Sequence, residues 1–221
     1  MPETITKEFT VYTFDELSDK AKVHALIKHI EWIDNDWDTD IIDDFKDQGS
    51  KRGFEIADVR YTLAYSQGDG AAWQGGINAE WFLDYHLKDD DPDHARYIVL
   101  RELIREDWLH VRPEVSYAGF KYHSMQVSIN CSYSTLDFED GEVMESGVLQ
   151  GANIYDLGKG INAAELIDKL EEWMQAEAKS YADDIFHELR KEYEYQTSAE
   201  NFKELCDANE WRFDEHGSLF V

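Results

Sequence analysis

The runs FEIADVRYTLAYS (54–66) and AAWQGGINAEWFL (71–83) are joined by Gln67, Gly68, Asp69 and Gly70, and this stretch sets the fold. Both runs are rich in β-branched and aromatic residues, which suit a pleated, half-buried surface. Glycines on either side of an aspartate supply the positive φ angles that a tight reversal needs. The stretch therefore predicts a β-hairpin, and with it an antiparallel sheet.

Upstream, KEFTVYTF (7–14) alternates apolar with polar and predicts a strand. Ser18 is placed to N-cap a helix whose Val23, Leu26, Ile27, Ile30 and Ile33 fall on one face. A second helix is predicted from Asp36 to Gln48, with Trp37, Ile41, Ile42 and Phe45 apolar and Gly49 as its C-terminal cap. Downstream, DYHLKDDDPD (84–93) reads as a polar loop, and Pro92 opens a helix running to about His110. Strands follow over 120–134 and 143–150, with Asp140 and Gly141 as the turn between them. After Gly160, Leu166, Leu170, Trp173, Met174, Tyr181, Ile185 and Leu189 trace the stripe of a helix of roughly 30 residues, about 45 Å long. A short helix from Ser198 to Asn209 and a strand over 211–221, broken at Glu215, His216 and Gly217, close the chain.

Strands grouped as hairpins between helices give an α+β fold, an antiparallel sheet packed against several helices. The chain has three prolines and no Ser/Gly/Pro-rich linker, so residues 1–221 read as a single compact domain.

The composition belongs to a folded chain. Seven Trp, twelve Tyr and eleven Phe are far more aromatic residues than a disordered acidic segment holds. Forty-eight acids against twenty-one bases give a net charge of −27. A surface that negative repels phosphate, which argues against nucleic acid and anionic membranes and in favour of a basic protein partner. The charged opening MPETITKEFT has no apolar core of the signal-peptide kind, so the expected location is the cytoplasm. Cys131 and Cys206, one in a strand-like run and one in a helix-like run, read as reduced structural thiols.

The densest acidic tract spans residues 31–47, where Glu31, Asp34, Asp36, Asp38, Asp40, Asp43, Asp44 and Asp47 face one base, Lys46. As a helix, it carries a charge every ~3.6 Å, close to the ~3.4 Å phosphate spacing along one DNA strand. Asp36, Asp40, Asp43, Asp44 and Asp47 fall on one side, which makes them the candidate partner-binding residues, with Trp32 or Trp37 as an aromatic anchor. The competing explanation is a solvated acidic face with no partner at all.

A second candidate is the turn at Ser66, Gln67, Gly68, Asp69 and Gly70, with Trp73 beyond it. Its backbone amides form the kind of nest that holds a small ligand or nucleotide, in a binding protein or a hydrolase. No lysine and helix follow it, so it is not a phosphate loop. The acids Asp89, Asp90, Asp91 and Asp93 are contiguous rather than alternating, and the histidines have no zinc spacing, so no metal and no cofactor are expected. No G-x-S-x-G elbow or other catalytic motif occurs, which favours a binding protein over an enzyme.

Three segments together resemble a group of small acidic bacteriophage and prophage proteins often labelled antitoxin-like. They are Tyr12, Phe14, Glu16 and Leu17; Ser66 to Ala71 followed by Ala72 and Trp73; and Ala208, Asn209 and Glu210. The resemblance implies a phage-type accessory protein that acts on host machinery, and hence the host cytoplasm.

Overall fold

The computed structural model describes residues 7–33, 37–66, 68–90, 93–107, 109–118, 126–135 and 163–220. Among them are six helices and a four-stranded antiparallel sheet, an α+β fold. The helices are α1 (Asp19–Ile30), α2 (Thr39–Lys51), α3 (Ala79–His86), α4 (His94–Arg105), α5 (Ala163–Gln196) and α6 (Ala199–Ala208). The strands are β1 (Phe54–Thr62), β2 (Gly70–Ile77), β3 (Leu109–Ala118) and β4 (Gln126–Thr135), in the order β1-β2-β3-β4. The chain sorts into two compact units, one of Met1–Thr39 with Glu188–Val221, the other of Asp40–His187.

In the larger unit, β1 and β2 form the hairpin, running from Phe54↔Ile77 to Thr62↔Gly70 with a bulge between Ile56 and Asp58. Gly75 stands opposite the bulge at φ 153°, where a Cβ would lie 1.9 Å from the Glu55 carbonyl oxygen, so the close approach admits only glycine. Strands β3 and β4 pair over their whole length, and Val127 and Ile129 are buried while Ser128 and Asn130 are exposed. The apolar stripe of α5 supplies the opposing layer through Leu166, Leu170, Met174, Tyr181 and Ile185. Two polar contacts fix how α5 lies on the sheet. The Trp73 indole donates to the Ala178 carbonyl at 3.3 Å. Gln175 accepts from the Ile129 amide at 2.8 Å and donates to the Val127 carbonyl at 2.9 Å, so one side chain covers part of the β4 edge.

In the smaller unit, Phe14, Leu17, Ala21, Ala25, Phe202, Cys206 and Phe213 form the core. The C-terminal segment bridges Tyr12 to Phe213 and Phe213 to Leu219. Gly217 closes its turn at φ +85°, and a Cβ there would lie 2.1 Å from the Ala21 carbonyl oxygen.

Several expectations need correcting. The run 71–83 is half helix: the Asn78 side chain accepts from the Trp81 amide and starts α3, which takes up part of the expected 84–93 loop. Strand β3 replaces the end of the helix expected to reach His110, and its Pro113 is accommodated because β2 and β3 pair only at Gly75↔Val115 and Gly76↔Glu114. Gly49 is no cap. It lies buried inside α2 against Ile56 and Tyr181, and the positive φ falls at Gly53. On α1 the buried residues are Ala21 and Ala25, whereas Val23 and Ile27 are 58% and 50% exposed. The strand expected over 7–14 reduces to one bridge at Tyr12. The strand expected over 143–150 and the turn at Asp140 and Gly141 lie outside the described residues.

Both cysteines are free; burial pushes each thiol up to about 11. No helix among the described residues is long and apolar enough to cross a membrane.

Candidate functional site

Helix α2 begins at Thr39, and Phe45 and Gly49 turn inward. Phe45 meets the Tyr181 ring edge-on at 5.6 Å, and the Tyr181 hydroxyl donates to the Phe45 carbonyl at 2.5 Å. That anchor fixes which side of α2 faces solvent. Asp40, Asp43, Asp44 and Asp47, spaced i, i+3, i+4 and i+7, are all exposed. They span about 10 Å of helix axis, so the carboxylates recur every ~3.5 Å, near the spacing of phosphates on a DNA strand. Asp36 lies outside the described residues.

The strip is partly neutralised. Lys46 pairs with Asp43 at 3.1 Å, and the Gln48 amide donates to Asp44 at 2.6 Å. Both partners of the Lys46 pair are well exposed, and such surface pairs contribute little and are screened by salt. Burial first, with the charges of Asp44 and Asp184 beside it, pushes the Tyr181 hydroxyl up to about 12, against the opposing effect of Arg52, 4.9 Å from the ring centre.

Trp37 belongs to the smaller unit, where its ring lies 5.7 Å from that of Tyr193. The aspartates belong to the larger.

The Ser66 turn is closed by its own groups. The Asp69 carboxylate accepts from the Ala64 amide at 3.0 Å and from the Ser66 hydroxyl at 3.2 Å. The Ser66 hydroxyl oxygen accepts from the Gly68 amide at 3.3 Å. Gln67 lies outside the described residues. Gly70 begins β2 and is buried, and Trp73 is 0% exposed, so the structure does not bring the indole to the turn.

One feature escaped the sequence reading. In the smaller unit, α1, α6 and the C-terminal turn line an open cavity of about 260 Å³ whose walls include His24, Lys28, His29, Trp32, Phe202 and Trp211. The His29 ring stacks on Phe202 at 4.6 Å, and burial holds its pKa below the ordinary histidine value. The Nδ1 of His24 is buried with no hydrogen-bond partner among the described residues. Residues nearly 200 positions apart make these walls, and no local motif announces them.

Residues 37–199 match the model of a family described as a domain of unknown function (DUF8835), and the chain belongs to that family. The matched span takes in every element from α2 to α5. No curated protein and no solved structure matches the chain significantly.

Proposed function

We propose that the protein is a non-enzymatic acidic accessory protein that binds and neutralises a basic macromolecular partner through α2. The observation behind this reading is the outward row of Asp40, Asp43, Asp44 and Asp47 on a helix anchored by Phe45. A net charge of −27 steers a positively charged surface toward that row and keeps nucleic acid away. The spacing of the carboxylates suits a partner that ordinarily holds a phosphate backbone, such as a nucleic-acid-binding host defence complex or a toxin. The resemblance to phage accessory proteins points the same way and implies action in the host cytoplasm. The Ser66 turn is the weaker site, because its polar groups already satisfy one another.

The test is fluorescence anisotropy with an arginine-rich peptide at low and high salt. Wild type should bind with affinity that falls steeply as salt rises. Replacing Asp40, Asp43, Asp44 and Asp47 with Asn should weaken binding at least tenfold and flatten the salt slope. A control with Glu8, Glu172, Glu204 and Glu215 changed to Gln removes the same charge from elsewhere and should keep most of the affinity. Equal losses in the two variants would reduce the effect to bulk charge and remove the case for α2.

A further inference from the structure

We propose that an open groove of the smaller unit takes an arginine side chain of the basic partner, held between aromatic rings and the Glu192 carboxylate. This rests on the reading that the partner is basic, and it uses none of the residues of the acidic row on α2. The groove, of about 550 Å³, is lined by Trp32, Trp37 and Tyr195 together with His29, Glu192 and Gln196. Trp32 is 64% exposed and Tyr195 50% exposed, and large rings gathered in solvent mark interaction surfaces. Among the described residues, no lysine or arginine lies over either of these two rings.

The charge around the groove selects a cation. The smaller unit holds eighteen acids against eight bases. Its bases on α5 and α6 are already matched: Arg190 with Glu194 at 3.2 Å, Lys191 with Glu188 at 3.3 Å, and Lys203 with Asp15 at 2.5 Å and Asp207 at 2.9 Å. Glu192 is partly buried in the groove wall and pairs with no base among the described residues. Its Oε1 accepts from the Gln196 amide at 2.9 Å, which leaves Oε2 for a donor that a ligand brings. Burial holds the His29 pKa below the ordinary value, so its ring adds no competing charge near pH 7. A guanidinium uses the whole site, because its flat face stacks on indole or phenol and its N–H groups reach a carboxylate edge-on. A lysine ammonium has no flat face, and a quaternary ammonium has no N–H to give Glu192.

The experiment is an NMR titration of the full chain, at physiological salt, with N-acetylarginine amide. N-acetyllysine amide carries the same charge, and N-acetylcitrulline amide is the uncharged counterpart of the same shape. The expected result is shifts of the Trp32 and Trp37 indole N–H signals, with arginine binding about threefold more tightly than lysine and about tenfold more tightly than citrulline. Glu192→Gln should remove most of the preference over citrulline. Trp32→Ala, which removes an exposed side chain and should leave the dispersed spectrum intact, should remove the preference over lysine. The variant with four Asn in α2 should bind N-acetylarginine amide as wild type does, so failure here and failure of the α2 reading are separate results. Absence of shifts at Trp32 and Trp37 would overturn the proposal, and so would an arginine affinity unchanged in both groove variants. Equal affinity for arginine and lysine would reduce the effect to bulk charge, and tetramethylammonium binding more tightly than arginine would assign the groove to a quaternary ammonium; either result would overturn it too.

Discussion

Helices α1 and α2 are similar in length and both are amphipathic in sequence, yet they use their faces in opposite ways. Helix α2 buries Phe45, its bulkiest residue, and turns its aspartates outward. Helix α1 buries two alanines and leaves Val23 and Ile27 half exposed. A side chain is buried where its neighbours make room, and small residues win where another backbone comes close. On α1 the tight turn at Gly217 lies against the Ala21 carbonyl, and a larger packing face would hold it off. The charge follows the same contrast, with three lysines on α1 and four aspartates on α2.

The sharpest way to break the contrast between the two units is Trp73→Ala. It empties the core under the sheet and should cost about 3–5 kcal/mol in chemical denaturation. Hydrogen exchange on the same variant asks whether the units fold together. Faster exchange confined to β1–β4 and residues 163–187 of α5 would mark separate units, whereas equal acceleration in α1 and α6 would mark one cooperative domain. Next in size is Gln175→Ala, which leaves the Val127 carbonyl and the Ile129 amide without their partner and should cost about 1–3 kcal/mol.

A pH titration tests one histidine in each unit. Burial lowers the pKa of His86 in the larger unit and of His29 in the smaller one from the ordinary 6.5. The unfolded chain then binds protons more readily than the folded one. Stability from both groups is therefore present above pH 6.5 and lost as pH falls toward their folded values. A melting temperature that stays flat from pH 7 to 5 in His86→Phe but falls in wild type would assign the loss to the larger unit.

Smaller effects separate the helices themselves. Ser18→Ala and Ser198→Ala each remove a side-chain cap, from α1 and α6, and should cost about 1 kcal/mol apiece. The four Asp→Asn changes on α2 should alter stability by no more than about 0.5 kcal/mol, because the carboxylates are exposed. A larger loss would show that the acidic row supports the fold and is not simply held out for a partner.

Periodicity made the α5 stripe legible, because seven large apolar residues recur at helical spacing. The hairpin reversal between β1 and β2 was legible, but not its chemistry, since the left-handed residue is Tyr65 at φ 54° and Gly68 has no positive φ. The outward row on α2 was legible because charge stays in water wherever α2 packs. Strand β3 was hidden by Pro113, and the start of α3 by the strand-like look of Trp81, Phe82 and Leu83. In both cases, local preference gave way to the pairing available nearby.

The sequence alone determined the α+β class, the acidic character and which residues of α2 stay in solvent, because these depend on local spacing and on the cost of removing charge from water. Only the tertiary structure decided that α1 would bury alanine rather than valine, that Gln175 would cover the β4 edge, and that His24, Trp32 and Trp211 would share a cavity. Those outcomes depend on contacts between residues far apart in the chain, and such contacts are set by the packing of whole elements, which no local pattern encodes.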